Sequence, residues 1–199
     1  IYVWEGGMSF HGGFLGVLIS GILFGMRKKI SLFSLGDLIA FASPPGLFFG
    51  RIANFINGEL WGKPTTSIFG IQFTKGQGQF CPSSNDIPCF RHPSQLYEAF
   101  FEGIVLMLIF YYLVFFYEAL KKPGIIFGSF LLGYGVIRFS IEFLREPDAF
   151  FVTNENPYGY VVEFFPGIGM SMGQLLTVPM IAFGLLLIVL VTKRSVDAN

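Results

Sequence analysis

Five apolar stretches, at residues 8–26, 35–50, 96–117, 124–144 and 172–192, limit what this 199-residue chain can fold into. Most approach the roughly 20 residues that a helix needs to cross hydrocarbon. A water-soluble fold of this size has too little interior to hide that much apolar surface. Charged residues make up only 13% of the chain, about half the share of a soluble domain. The expected fold is an all-α polytopic membrane protein with five visible transmembrane helices. The second stretch is short and carries Pro44-Pro45, so it is expected to be kinked, or to span only with help from its neighbours.

Three basic clusters set the expected orientation. Arg27-Lys28-Lys29 follows the first stretch, Lys121-Lys122 separates the third from the fourth, and Lys193-Arg194 follows the fifth. Five crossings bring all three to one face, which the excess of Lys and Arg on cytoplasmic loops makes the inner one. The other face also carries Lys63, Lys75, Arg91, Arg145 and both histidines, so the bias is one of degree. The organisation expected is helices 1–2 with a polar segment (1–62), a strand- and loop-rich extracytoplasmic head (63–93), helices 3–4 (94–144), an outer loop (145–170), and the last helix with its tail (171–199). A formal net charge of zero gives no electrostatic basis for binding nucleic acid. The sequence opens on Ile1 without a basic leader, which reads as a fragment or processed form.

The head is rich in Gly, Pro, Ser, Thr and Asn, which suggests short strands and turns at the membrane surface, with one strand at 69–73. Cys81 and Cys89, the only cysteines, both lie in it. A disulfide and two free thiols are both open readings. His and Cys are too few and too scattered for a zinc site.

Two arginines carry the functional argument. Arg51 and Arg138 lie in or beside strongly apolar stretches, where a guanidinium is costly unless it faces an interior cavity or an anion. Its fork of fixed-charge donors suits phosphate. Tyr134, Arg138 and Glu142 recur every fourth residue and form one polar stripe on a helix. Either Glu142 and the Tyr134 hydroxyl aim the guanidinium at a ligand, or an internal ion pair merely neutralises it. Around Arg51 the chain reads Gly50-Arg51-Ile52-Ala53-Asn54-Phe55-Ile56-Asn57-Gly58-Glu59-Leu60-Trp61-Gly62. Arg51 and Asn54 can share a helical face. Asn57-Gly58 signals a turn, which puts Glu59 and Trp61 past the helix end. Gly62 permits close approach of backbone or ligand. So many hydrogen-bonding groups at one depth favour a binding site over an interfacial loop.

His11, in Phe10-His11-Gly12-Gly13, has the neutral imidazole that a general base needs, although packing against a neighbouring helix would also explain it. His92-Pro93-Ser94-Gln95-Leu96-Tyr97-Glu98 reads as the start of the third span. Ser94 there is expected to cap the helix and Tyr97 to anchor it. Arg145, in Arg145-Glu146-Pro147-Asp148, adds charge to the site mouth or meets lipid headgroups.

Taken together these segments resemble the bacterial prolipoprotein diacylglyceryl transferases. The stretch from Gly50 to Gly62 is similar to that family's signature. Phe10-His11-Gly12-Gly13, His92 to Glu98, residues 138–148 and Met170-Ser171-Met172-Gly173-Gln174 match in family order. Members have seven spans, an outward N-terminus, a cytoplasmic C-terminus and a sheet-rich outer head. The resemblance implies that two N-terminal spans are missing from this sequence, with any functional residues they carry, so the activity of the fragment by itself stays open.

The implied reaction moves a diacylglyceryl group from phosphatidylglycerol to the lipobox cysteine of a preprolipoprotein and releases glycerol phosphate. The implied setting is the bacterial inner membrane, with the site facing outward and membrane lipid as a partner. Carried over residue by residue, Arg51 and Arg138 grip the phosphate and His11 is the candidate base. Asn54, Glu59, Gly62, Tyr134, Glu142 and Arg145 complete the substrate site. No metal or organic cofactor is required. Two rival readings of the arginines are an anionic-lipid transporter or flippase, which the absence of an internal repeat disfavours, and a structural subunit locked by ion pairs.

Overall fold

A computed structural model describes residues 10–74, 76–79, 81, 89–148, 150–165 and 167–197. Residues 1–9, where the first expected span begins, and Lys75 lie outside the described residues. Helices dominate. They are α1 (Phe10–Lys28), α2 (Leu32–Asn57), α3 (Ser94–Glu98), α4 (Leu106–Phe115), α5 (Ile125–Ile141) and α6 (Met172–Asp197). A π-helical segment, Ala99–Val105, fuses α3 and α4 into one continuous span. Among the described residues four helical spans are long and apolar enough to cross a membrane: Leu32–Asn57, Ser94–Phe115, Ile125–Leu144 and Met172–Arg194. The first expected span falls on α1, a helix of 19 residues that is not among these four. Large apolar side chains such as Phe49, Leu108, Phe116 and Leu190 point outward from the helices, as a lipid-facing surface requires. The chain is a polytopic membrane protein with a small strand-bearing part, as its apolar periods predict.

The second span is longer than expected: α2 runs through both prolines for 26 residues and ends only at Asn57, with Asp37 tied to α5 as the expected help from a neighbour. Proline deprives the preceding turn of a donor, and Ser43 Oγ donates to the Ile39 carbonyl at 2.7 Å in that same turn. Pro44 is itself buried among neighbouring helices. The helix stops where the turn signal lies. Gly58 takes a left-handed conformation (φ 69°) and its N–H and that of Glu59 return to the carbonyls of Phe55 and Asn54, the usual device for closing the last turn. Arg51 and Asn54 therefore ride on the final turns of a long, anchored helix.

Helix α5 is the centre of the bundle. Against α6 it packs most extensively, because glycine lets the two backbones meet: a Cβ on Gly184 would sit 2.7 Å from the Gly128 carbonyl oxygen. Small residues serve this purpose where lipid supplies no hydrophobic drive between helices. Against α2 it is fixed by Asp37, whose carboxylate accepts from the N–H groups of Gly124 (2.7 Å) and Phe127 (2.8 Å). These are orphan donors of the α5 start, where a negative charge also meets the positive end of the helix dipole. Ala40, Leu106, Phe110, Ala119 and Ile126 form the buried core beneath this latch. Gly124 also lies against Phe33 of α2 and Val191 of α6. One end of the bundle thus holds the start of α2, the start of α5 and the end of α6. The opposite end gathers Arg51, the start of α3, the end of α5 and the start of α6.

The head rests on that opposite end. Its strands are shorter than expected: only β1 (Ile71–Gln72) forms within the predicted 69–73, paired antiparallel with β2 (Phe90–Arg91). A second hairpin, β3 (Val162–Phe165) with β4 (Ile168–Met170), precedes α6. Cys81 and Cys89 are joined in a disulfide. Arg91, which the sequence offers only as one more outer-face charge, is buried. Its guanidinium donates to the carbonyls of Gly78 and Gly62, pairs with Glu146 at 2.9 Å, and lies over the Trp61 ring. It is the bolt of the head.

Candidate functional site

Three arginines and three glutamates meet at the head end of the bundle. Glu98, fully buried at the end of α3, is the hub. Its Oε2 lies 3.1 Å from Arg51 Nη1, and its Oε1 lies 3.3 Å from Arg138 Nη1 and 3.2 Å from Arg145 Nη1. Glu102, also fully buried, takes Arg51 Nε and Nη2 on one oxygen, both at 3.1 Å. Glu142 pairs with Arg138 at 2.6 Å and lies 3.8 Å from Arg145 Nε. Ser171, just before α6, donates to the other oxygen of Glu142 at 2.8 Å.

The fold explains this convergence. Arg51 comes from the end of α2 and Arg138 from the last turn of α5. Glu142 lies one turn beyond Arg138, in a short 3-10 turn (Glu142–Leu144), and Arg145 follows in extended conformation. Glu98 and Glu102 bracket the entry to the π-helical segment, a widened turn of the kind often found at functional sites. Gly103 in that segment touches α2 so closely that a Cβ would lie 2.6 Å from Phe48 Cβ, which brings Glu102 up to Arg51.

Arg51, Arg138, Glu142 and Arg145 are therefore gathered in one ionic cluster. Of the expected holders of Arg138, Glu142 pairs with it and Glu98 joins from α3, while the Tyr134 ring stacks on Phe130 and lies close enough to interact electrostatically with Arg138 and Arg51. Glu59 is not brought in. Its carboxylate is exposed and accepts from Asn57 Nδ2 at 3.1 Å. Asn54 sits half-buried one turn after Arg51 and contributes its carbonyl to the helix end. His11 lies in the first turn of α1, and its side chain is outside the described ones.

Gly62 has a steric role. Its N–H donates to the His92 carbonyl, Lys63 N–H donates to that of Leu144, and a Cβ on Gly62 would lie 2.6 Å from both carbonyl oxygens. Three chain segments cross there and leave no room for a side chain. The segment at His92 acts on the same crossing. Ser94 does not cap its helix, as expected from the sequence, but donates to the Leu60 carbonyl at 3.0 Å, and Gln95 donates to that of Glu59. Both pin the loop that follows Arg51.

The carboxylates of the third span are what the sequence reading missed. Glu98 is passed over as part of a helix start, and Glu102 is not considered. Two glutamates four residues apart at the head of an apolar stretch carry the same signal that singles out the arginines.

The family model for prolipoprotein diacylglyceryl transferase matches residues 1–190. The chain belongs to the prolipoprotein diacylglyceryl transferase family. Its similarity extends to the phosphatidylglycerol–prolipoprotein diacylglyceryl transferase of Cereibacter sphaeroides, 56% identical over 92% of this chain and 62% of that protein. Proteins of the same name from Roseobacter denitrificans and Caulobacter vibrioides are 49% and 47% identical, over 94% and 92% of this chain and 63% and 57% of their own lengths. The chain thus spans less than two thirds of the length of these transferases.

Proposed function

We propose that the full-length protein transfers the diacylglyceryl group of phosphatidylglycerol to the lipobox cysteine thiol of preprolipoproteins and releases glycerol phosphate. This is the first step of bacterial lipoprotein maturation. The observation that carries the reading is the convergence of Arg51 and Arg138, 87 residues apart in the chain by their numbers, on the single carboxylate of Glu98. Two guanidiniums held that close can share one phosphodiester. The proposed setting is the inner membrane, with the site outward, because Lys121-Lys122 and Lys193-Arg194 belong to the other end of the bundle.

The chemistry follows from the groups. A cysteine thiol, with a pKa of ~8.5, is mostly protonated at neutral pH. A base removes its proton, and His11 is the proposed acceptor. The sulfur then attacks the carbon of the diacylglyceryl group that carries the phosphate ester. A carbon–sulfur bond forms as the carbon–oxygen bond to phosphate breaks, and the electron pair leaves on the phosphate oxygen. The leaving group gains negative charge in this step, so arginines fixed beside it stabilise the transition state without rearrangement. Only the grip gained late in the reaction raises the rate, because the same arginines also bind the anionic ground state.

The test is to incubate the full-length protein in detergent with phosphatidylglycerol and a lipobox peptide, and to weigh the peptide. A gain of one diacylglyceryl mass is expected. An unmodified peptide would refute the enzyme, and movement of the lipid across a bilayer without modification would establish a transporter in its place.

A further inference from the structure

The ionic cluster is electrically closed, and that constrains how an anionic lipid enters it. All three nitrogens of Arg51 are engaged: Nη1 by Glu98, Nε and Nη2 by Glu102. Arg138 is different. Glu98 and Glu142 both contact its Nη1, and among the described residues its Nε and Nη2 make no hydrogen bond or ion pair. Arg138 is open to a phosphate as it stands, whereas Arg51 must first release a carboxylate.

The three carboxylates are not equally free to leave. Glu98 is shared by three arginines, and Glu142 is held by Arg138 and Ser171. Among the described residues Glu102 hydrogen-bonds and ion-pairs with Arg51 alone, and its second oxygen is buried without a hydrogen-bond partner. It also sits in the π-helical segment, the least regular turn of its span. Resting on the proposed lipid substrate, the geometry points to Glu102 as a displaceable counter-ion: it occupies the place of the lipid phosphate on Arg51, and binding of an anionic phospholipid moves it off with uptake of one proton.

The balance is simple. One negative charge enters with the phosphodiester, and Glu102 accepts one proton from solvent to become a neutral acid. No other bond changes. A carboxylate left buried without its guanidinium is too costly to stay ionised. The other groups facing it do not supply a replacement cation. Arg51 comes from α2, Glu98 from α3, and Tyr134 and Arg138 from α5; Tyr111 and Tyr112 of α4 are exposed. Of the cations here, Arg138 has its Nη1 on Glu98 and Glu142, and its open edge is the one the incoming phosphate takes. Glu102 is thus a positioning residue that acts through Arg51.

Short-chain phosphatidylglycerol is titrated into the full-length protein in detergent, from mildly acidic to mildly alkaline pH, for the wild type and Glu102→Gln. Wild-type affinity is expected to fall as pH rises, by up to tenfold per pH unit where a whole proton is taken up. Glu102→Gln, already neutral, is expected to bind with a flat pH profile and more tightly than wild type at the alkaline end. Calorimetry of the wild type alone, in buffers of different ionisation enthalpy, counts the protons directly and needs no variant. Binding without proton uptake, or a variant that keeps the wild-type pH slope, overturns the role of Glu102 and leaves the lipid site standing. Wild type that binds no phosphatidylglycerol overturns the proposed function and this inference with it.

Discussion

Replacing Glu98 by Gln probes the hub of the site at constant shape. The wild-type carboxylate is fully buried and faces three guanidiniums at 3.1, 3.3 and 3.2 Å. Glutamine keeps one acceptor oxygen but sets an amide NH2 against cations. The damage is uneven. Arg51 keeps Glu102 at 3.1 Å and Arg138 keeps Glu142 at 2.6 Å, whereas the next carboxylate for Arg145 is 3.8 Å away. Breaking a buried pair from one side costs about 3–5 kcal/mol, and here most of it falls on Arg145. Glu98→Gln is therefore expected to destabilise the full-length protein by that amount in equilibrium unfolding from mixed micelles, followed by far-ultraviolet dichroism. Adding Arg145→Gln removes the stranded charge, so the double variant should recover roughly 1–3 kcal/mol relative to the sum of the singles. A Glu98→Gln protein within about 0.5 kcal/mol of wild type, or strict additivity with Arg145→Gln, would refute Glu98 as the hub.

Four further outcomes are expected. Asp37→Ala removes the acceptor for Gly124 and Phe127 and should cost about 1–2 kcal/mol in the same unfolding assay; an unchanged midpoint would show that the α2–α5 latch carries no stability. Gly62→Ala places a methyl 2.6 Å from two carbonyl oxygens, so the crossing must open and peptide modification should fall at least tenfold while the helical dichroism is retained; a fully active variant would show that the crossing tolerates a side chain. Arg138→Lys keeps the charge but loses the planar fork, and should lose most peptide modification while still accumulating in the membrane; near-normal transfer refutes the phosphate grip. His11→Gln should be slow at neutral pH and partly rescued as rising pH ionises the substrate thiol unaided; full activity at neutral pH removes His11 from the mechanism.

The spans were legible because lipid imposes a simple rule on composition and length, and Phe10–Lys28, Ser94–Phe115 and Met172–Asp197 lie close to the stretches read from hydropathy. Arg51 and Arg138 were legible for the same reason, as charges where charge is costly. The second span was read too short because hydropathy falls at Arg51, whereas α2 continues to Asn57, and its neighbours support it through burial of Pro44 and the Asp37 tie to α5. Arg91 was opaque for a different reason: its partners come from Gly62, Gly78 and Glu146, and no sequence spacing links them.

The partners of the arginines teach the most about function. A guanidinium in an apolar stretch announces an anion, but it does not say whether that anion is a ligand or a carboxylate of the same chain. The cluster shows the carboxylates, and the proposed function adds the lipid phosphate. Glu98 and Glu142 fix the direction of Arg138 and leave its Nε edge open, and Glu102 closes Arg51. A neutral cluster also survives in the membrane without substrate, which three bare arginines would not. Under the proposed function, the functional and structural readings of these charges are not alternatives. In the proposed enzyme the ion pairs that stabilise the bundle also preset the geometry of the anion site, and the least-supported carboxylate is where an incoming phosphate is proposed to compete.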